Sequence, residues 1–188
     1  MNEERHKIIV IPISYTDDKP KFLTVRDMKF KEWTFISGGC KKREIPNPLQ
    51  CALRELEEET RGLLNINHGR YKYFTFDSRN RSKEELVKDN QDGIIVSTKH
   101  HVYIIELKLN KPGQDQLVNK FNYNVVATSL KKKKGQPVKR TYDENDMLLF
   151  ETLENFSKRK NMWEFIRKNI LKNSVFYHTL NTSNWLKF

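Results

Sequence analysis

Cysteine is scarce in this chain: two residues in 188, Cys40 and Cys51. Two cannot build the disulfide framework of a small secreted domain, and a ten-residue gap with no histidine nearby does not match zinc-ligand spacing. Both are expected to be free thiols. Long apolar runs are missing as well. No stretch approaches the roughly 20 residues that a bilayer-spanning helix needs, and the mean hydropathy is −0.78. The start, Met1 to Lys7, is charged and leads into an apolar run that Pro12 interrupts, which is not the grammar of a secretory signal. A soluble, cytoplasmic protein without membrane insertion is the expectation. Acidic residues are outnumbered, 24 against 35 Lys and Arg, and the resulting charge of +11 favours polyanionic partners. Composition does not choose among nucleic acid, polyphosphates and anionic membrane surfaces. There is no internal repeat.

What is present suffices for one core, since 37% of the side chains are apolar. The expected organisation is one domain over 1–156 with a helical extension over 157–188 packed on it. Lys7 to Tyr15 is β-branched and apolar, and after the turn-forming Asp17 to Pro20 comes a second such run, Lys21 to Val25, so a hairpin is expected. Trp33 to Ser37 forms a third strand that Gly38 and Gly39 end. Asn47 is placed to cap a helix with Pro48 at its first position and no breaker before Gly62. Tyr71 to Phe76 and His101 to Leu109 read as strands, with a short helix or loop excursion over Ser82 to Asp92. Lys131 to Arg140 reads as a basic loop, and Glu144 to Phe156 and Met162 to Leu171 carry apolar residues at helical spacing.

The helix after Asn47 carries the chemistry. At about 100° per residue, Leu49, Ala52, Leu53 and Leu56 share one arc, while Glu58, Glu55 and Glu59 fall together on another side and Glu57 points elsewhere. Like charges three and four residues apart repel, so this patch calls for a compensating cation or for plain solvation. A divalent ion with oxygen-only ligands, Mg²⁺ or Mn²⁺, would supply the charge and recruit phosphate oxygens.

Immediately upstream stands Ser37 to Glu44, a Gly-Gly loop with one more carboxylate. Here the sequence resembles the Nudix hydrolase family. The family box runs Gly, five residues, Glu, seven residues, then REUxEExGU with U aliphatic. This chain has Gly38, five residues, Glu44, and then Arg54-Glu55-Leu56-Glu57-Glu58-Glu59. It departs twice: nine residues separate Glu44 from Arg54, and Arg61-Gly62-Leu63 stands where the family has Gly and an aliphatic. The resemblance implies an α/β/α sandwich around a mixed sheet. It implies metal held by Glu55, Glu58 and Glu59 beside Gly38, with Arg54 orienting a carboxylate and Glu44 as the loop glutamate. The implied reaction is metal-assisted attack of water on a phosphorus of a nucleoside diphosphate linked to another group. Glu144, six before Phe150, fits the spacing of a further base or metal ligand in the family, and equally an exposed residue opening a helix.

The basic surface bears on the substrate. Lys131, Lys132, Lys133, Lys134, Lys139 and Arg140, with six more cations between Lys158 and Lys172, exceed what a nucleoside triphosphate needs and suit a longer polyanion. The Gly-Gly loop with its Lys-rich continuation is also similar to mRNA-decapping and diphosphoinositol-polyphosphate hydrolases, including forms carried by large DNA viruses. Capped RNA is therefore the leading expected substrate. Inositol pyrophosphates and free nucleotides are alternatives, as is a catalytically silent Nudix-like domain that binds RNA. Trp33, Phe30 and Tyr15 are candidates to stack a methylated guanine, although such an aromatic is more often a core or rim residue.

Overall fold

The computed structural model describes residues 3–15, 19–81 and 95–188. Among these residues the chain forms strands β1 (Glu3–Ser14), β2 (Lys21–Asp27), β3 (Trp33–Thr34), β4 (Ile36–Gly39), β5 (Arg70–Arg81), β6 (Ile95–Glu106), β7 (Asn145–Glu151) and β8 (Leu186–Lys187). They make one mixed sheet in the order β3-β2-β1-β6-β5-β8, with β4 added to β1 and β7 to β2. β1 runs parallel to β6 and antiparallel to β2 and β4. The hairpin is present, with Ile13 opposite Phe22 and Ser14 opposite Lys21. The expected excursion over 82–92, like Asp17 and Asp18 of the turn, lies outside the described residues.

Helices cover both faces, giving the expected α/β/α sandwich. β1 sits centrally and is apolar in both registers, because each face is dry. Ile8 and Val10 pack with Leu56, Tyr103, Phe121 and Leu148 on one side. Ile9, Ile11 and Ile13 pack with Phe35, Phe74, Phe156, Ile166 and Phe176 on the other. The first face carries α1 (Pro48–Glu59) and α2 (Lys111–Lys133). The second is closed by α3 (Leu153–Ser157), α4 (Glu164–Ile166, continuing as a π turn over Arg167–Leu171) and α5 (Ser174–Asn181). After α5 the chain returns as β8, and Phe188 exchanges backbone hydrogen bonds with Gly69.

Three sequence expectations are corrected here. Glu144 to Phe156 is not a helix. Asn145–Glu151 is β7, paired with β2 along its length, and only α3 follows. Its apolar residues, Met147 to Phe150, are consecutive because both faces of the sheet are covered, and so short an apolar run does not distinguish a strand from a helix. Lys131 to Lys133 are not loop residues but the last turn of α2, with Lys134 at its C-cap, where cations complement the helix dipole. α2 itself had no clear apolar stripe in the sequence, since it buries only Gln114, Leu117 and Phe121; its start is set by Asn110, whose side chain accepts the Gly113 N–H.

The third correction concerns the thiols. Cys40 and Cys51 form a disulfide, their Cα atoms 5.3 Å apart. The loop leaves β4 at Cys40, whose N–H bonds the His6 carbonyl, and returns onto the first turn of α1, so a sequence gap that suggested nothing becomes a contact. Closing a loop with a sequence separation of 11 stabilises the fold by about 3 kcal/mol through the entropy of the unfolded chain. The unreduced protein, denatured and titrated with a thiol reagent, should therefore show no free thiol, and reduction should lower unfolding stability by about that amount. Two titratable thiols in the unreduced chain would restore the free-thiol reading.

Candidate active site

Arg54 is where the loop and the helix meet. Its Nε and Nη2 donate to Glu44 Oε2 and Oε1, both at 2.9 Å, and Nη2 also donates to the Gly39 carbonyl at 3.0 Å. Nη1 donates to Glu55 Oε1 at 2.9 Å and Glu58 Oε2 at 3.1 Å. Glu44 additionally accepts the Lys41 N–H, and the Arg54 pairing holds its carboxyl below the usual range. Glu44, a candidate for substrate binding by the sequence reading, is buried with both carboxylate oxygens on Arg54.

Gly38 and Gly39 do not end the strand as expected but pair with Ile8 and Lys7 within β4, and they differ in kind. A Cβ on Gly38 would lie 2.2 Å from the Glu55 carboxyl carbon, so the carboxylate occupies the space a side chain would need. A Cβ on Gly39 would meet nothing within 4 Å. Only Gly38 is demanded by contact.

Glu55 and Glu59 are buried, and Glu58 is half-buried. Burial pushes the Glu55 carboxyl up to about 7, against the pull of Arg54. Burial, then the nearby Glu55, pushes Glu59 well above the ordinary carboxylate range. Glu59 is held by Asn145, whose Nδ2 donates to its Oε2 and to its backbone carbonyl, each at 3.3 Å. Glu144 leads into β7 and is anchored by the Met28 N–H on its carbonyl. Its carboxyl is raised by burial and then by Glu58 and Asp27, and it raises Glu55 and Glu59 in turn. Four carboxylates from two distant segments therefore share one field. Glu57 faces away and accepts the Tyr142 hydroxyl at 2.7 Å.

The other predicted site residues are dispersed. Trp33 is buried against the second face, under the Arg159 guanidinium 3.9 Å from its ring, and offers no surface for a base. Phe30 is exposed, and Tyr15 packs edge-on against Trp185. Lys131 to Lys134, Lys139 and Arg140 are exposed, at the end of α2 and just before β7, and Lys139 lies over the Tyr142 ring.

Sequence reasoning missed two groups. Arg61 is buried beyond the end of α1 in a left-handed conformation, φ 57°, followed by Gly62 at φ 80°. Its Nη2 donates to the Asn145 carbonyl at 2.7 Å and to Asp143 at 3.2 Å. The departure from the family box at this position was the available signal. Asn145 had none beyond standing next to Glu144. On the α1 face of the sheet, His6, His101 and Tyr73 also form a bonded chain from β1 across β6 to β5, with Tyr73 exposed.

A family model described as the NUDIX domain matches residues 5–140. No curated protein matches the sequence. Among solved structures, the NUDIX domain of Shewanella oneidensis NrtR, crystallised with ADP-ribose, is similar at 11% identity and a TM-score of 0.51, over 89% of this chain and 85% of that one. A Listeria monocytogenes protein described as a NUDIX hydrolase is similar at 16% identity and TM-score 0.45, over 94% and 91%. A Caenorhabditis elegans Ap4A hydrolase is similar at 14% and 0.46, over 86% and 89%.

The raised carboxyls set a pH dependence. Between 4.5 and about 7 the folded chain keeps a proton on Glu55 that the unfolded chain has lost, so this group's contribution to metal-free stability falls as pH rises through that window. Thermal melts in EDTA should show Glu55→Gln and Glu59→Gln gaining stability over wild type as pH rises from 5 to 7. A wild-type advantage that stays constant across this range would contradict the buried placement.

Proposed function

This chain belongs to the NUDIX family of pyrophosphohydrolases, and on that premise we propose that its α1 carboxylates, with Arg54 and Glu144, cleave a nucleoside diphosphate joined to another group. The observation that carries the reading is the convergence of Glu144 on Glu55, Glu58 and Glu59.

Among the described residues no three His, Cys, Asp or Glu side chains form a ready-made metal cage. The donor set nevertheless suits Mg²⁺ or Mn²⁺, which keep several waters and need few carboxylates. Glu55, Glu58 and Glu59, with the Gly38 carbonyl, would hold the ion; the proton affinity of the two buried carboxyls comes first from burial and then from neighbouring carboxylates, and a dication would offset both. When bound, the ion lowers the pKa of water and neutralises charge on the diphosphate. Glu144, whose carboxylate is made more basic by burial and by Glu58, takes the proton of the attacking water as the new P–O bond forms, and the bridging P–O bond breaks with its electrons leaving on the departing phosphate. Arg54 and Asn145 are positioning residues that keep Glu55, Glu58 and Glu59 from splaying apart. The nucleoside is given to Tyr73, exposed on β5 on the α1 side of the sheet, with His101 buried behind it between Tyr73 and His6.

Capped RNA is a second reading, favoured by the exposed cations at the end of α2. It requires a steep fall of affinity with salt that a small nucleotide would not show.

Turnover of ADP-ribose, a dinucleoside polyphosphate, a free cap dinucleotide and capped RNA, compared side by side by product chromatography, should require Mg²⁺ or Mn²⁺. Glu58→Gln and Glu59→Gln should abolish turnover while the fold persists, and Glu144→Gln should lower kcat by about 10² to 10⁴. Full activity in EDTA would sink the hydrolase mechanism. Equal use of capped RNA and cap dinucleotide at low salt would remove the RNA reading.

A further inference from the structure

Behind the carboxylate site, the end of α1, the last turns of α2 and the segment 137–143 enclose a cavity of about 230 Å³. Arg61, Lys131 and Lys139 line it, with Thr128, Tyr142 and Asp143. Three cations thus face one carboxylate, and that carboxylate is already engaged by Arg61 and by Lys132. The wall is also incomplete in one respect: Arg61 Nε is buried and, among the described residues, has no hydrogen-bond partner, although the side chain is only 3% exposed. A buried, unsatisfied donor on a charged group is costly, and a small shift of the side chain that brings Nε to an acceptor oxygen in the cavity removes that cost. The space lies below the roughly 300 Å³ at which pockets for drug-sized ligands begin, so it fits a small oxyanion better than a whole nucleotide.

We propose that this cavity is a phosphate-binding site, taking either free inorganic phosphate or a phosphate group of the substrate distal to the scissile linkage. Arg61 beyond α1, Lys131 from α2 and Lys139 from the segment before β7 supply the positive charge. The site is wired to the catalytic face, because Arg61 holds the Asn145 carbonyl and the Asn145 side chain holds Glu59. The distal-phosphate arm rests on the hydrolase reading above; phosphate binding itself does not.

The test uses the full chain and the double variant Lys131→Ser/Lys139→Ser, whose side chains are exposed and not needed for folding. Calorimetric titration with inorganic phosphate in EDTA, at ionic strength fixed with chloride, should show saturable binding to wild type that weakens at least about tenfold in the variant. Absence of saturable binding, or equal binding to both proteins, would overturn the proposal. Given a positive result, KM assigns the source. A variant that raises KM only for substrates carrying a further phosphate identifies the substrate's own group, and unchanged KM for all substrates identifies free phosphate. Because the titration needs no turnover, an inactive protein that binds phosphate in this way would refute the hydrolase mechanism while leaving the site standing.

Discussion

The Arg54 guanidinium is the interaction on which the site depends. One planar group engages Glu44 bidentately, the Gly39 carbonyl, Glu55 and Glu58, and so ties the end of β4 and the turn after it to the carboxylate face of α1. No lysine could replace it, since a single ammonium cannot span a bidentate pair and two further acceptors in one plane. The contact of Glu55 on Gly38 follows from the same closure: once the loop is drawn onto the helix, there is no volume left for a side chain at that position.

Drawing carboxylates together has an electrostatic cost that this fold leaves largely uncompensated by its own cations. Arg54 serves Glu44, Glu55 and Glu58, but Glu59 has only neutral donors, Asn145 and the Ser37 backbone. The result is a pair of buried carboxyls beside a third, Glu144, all with proton affinity raised by burial first and by neighbouring carboxylates second. Such a cluster is poorly stable when fully ionised and ready to exchange protons for a multivalent cation. Asn145 links this acidic layer to a basic one behind it, since its carbonyl receives Arg61. The molecule thus sets an anionic front against a cationic back within one residue's length.

The two extra residues fall between Glu44 and Arg54, in the segment that opens α1; upstream, the turn Lys42–Glu44 brings Glu44 inward, and the Cys40–Cys51 disulfide pins the first turn of α1 to the end of β4. On the opposite face, the chain after β7 supplies Phe156, Ile166, Ile170 and Phe176, so the sheet's second side is dry only because the C-terminal segment folds over it.

Local order and local chemistry were legible in the sequence. α1 announces itself through Pro48 at its start, an apolar arc, and Gly62 beyond its end; β1 through β-branched density; and the grouping of Glu55, Glu58 and Glu59 through helical geometry alone. Those properties are set within one turn or one strand, where covalent spacing decides proximity. Everything requiring two distant segments was settled by packing. β7 carries an apolar run that periodicity cannot assign, and only its pairing with β2 makes it a strand. α2 exists because two buried side chains, Leu117 and Phe121, find the α1 face. The disulfide, the convergence of Glu144, the Asn145 link and the buried Arg61 arise from approaches between residues far apart along the chain, or joined only through a turn whose path no local signal specifies. Tertiary structure decides these because each contact exists only after the sheet has brought its two ends within hydrogen-bonding reach.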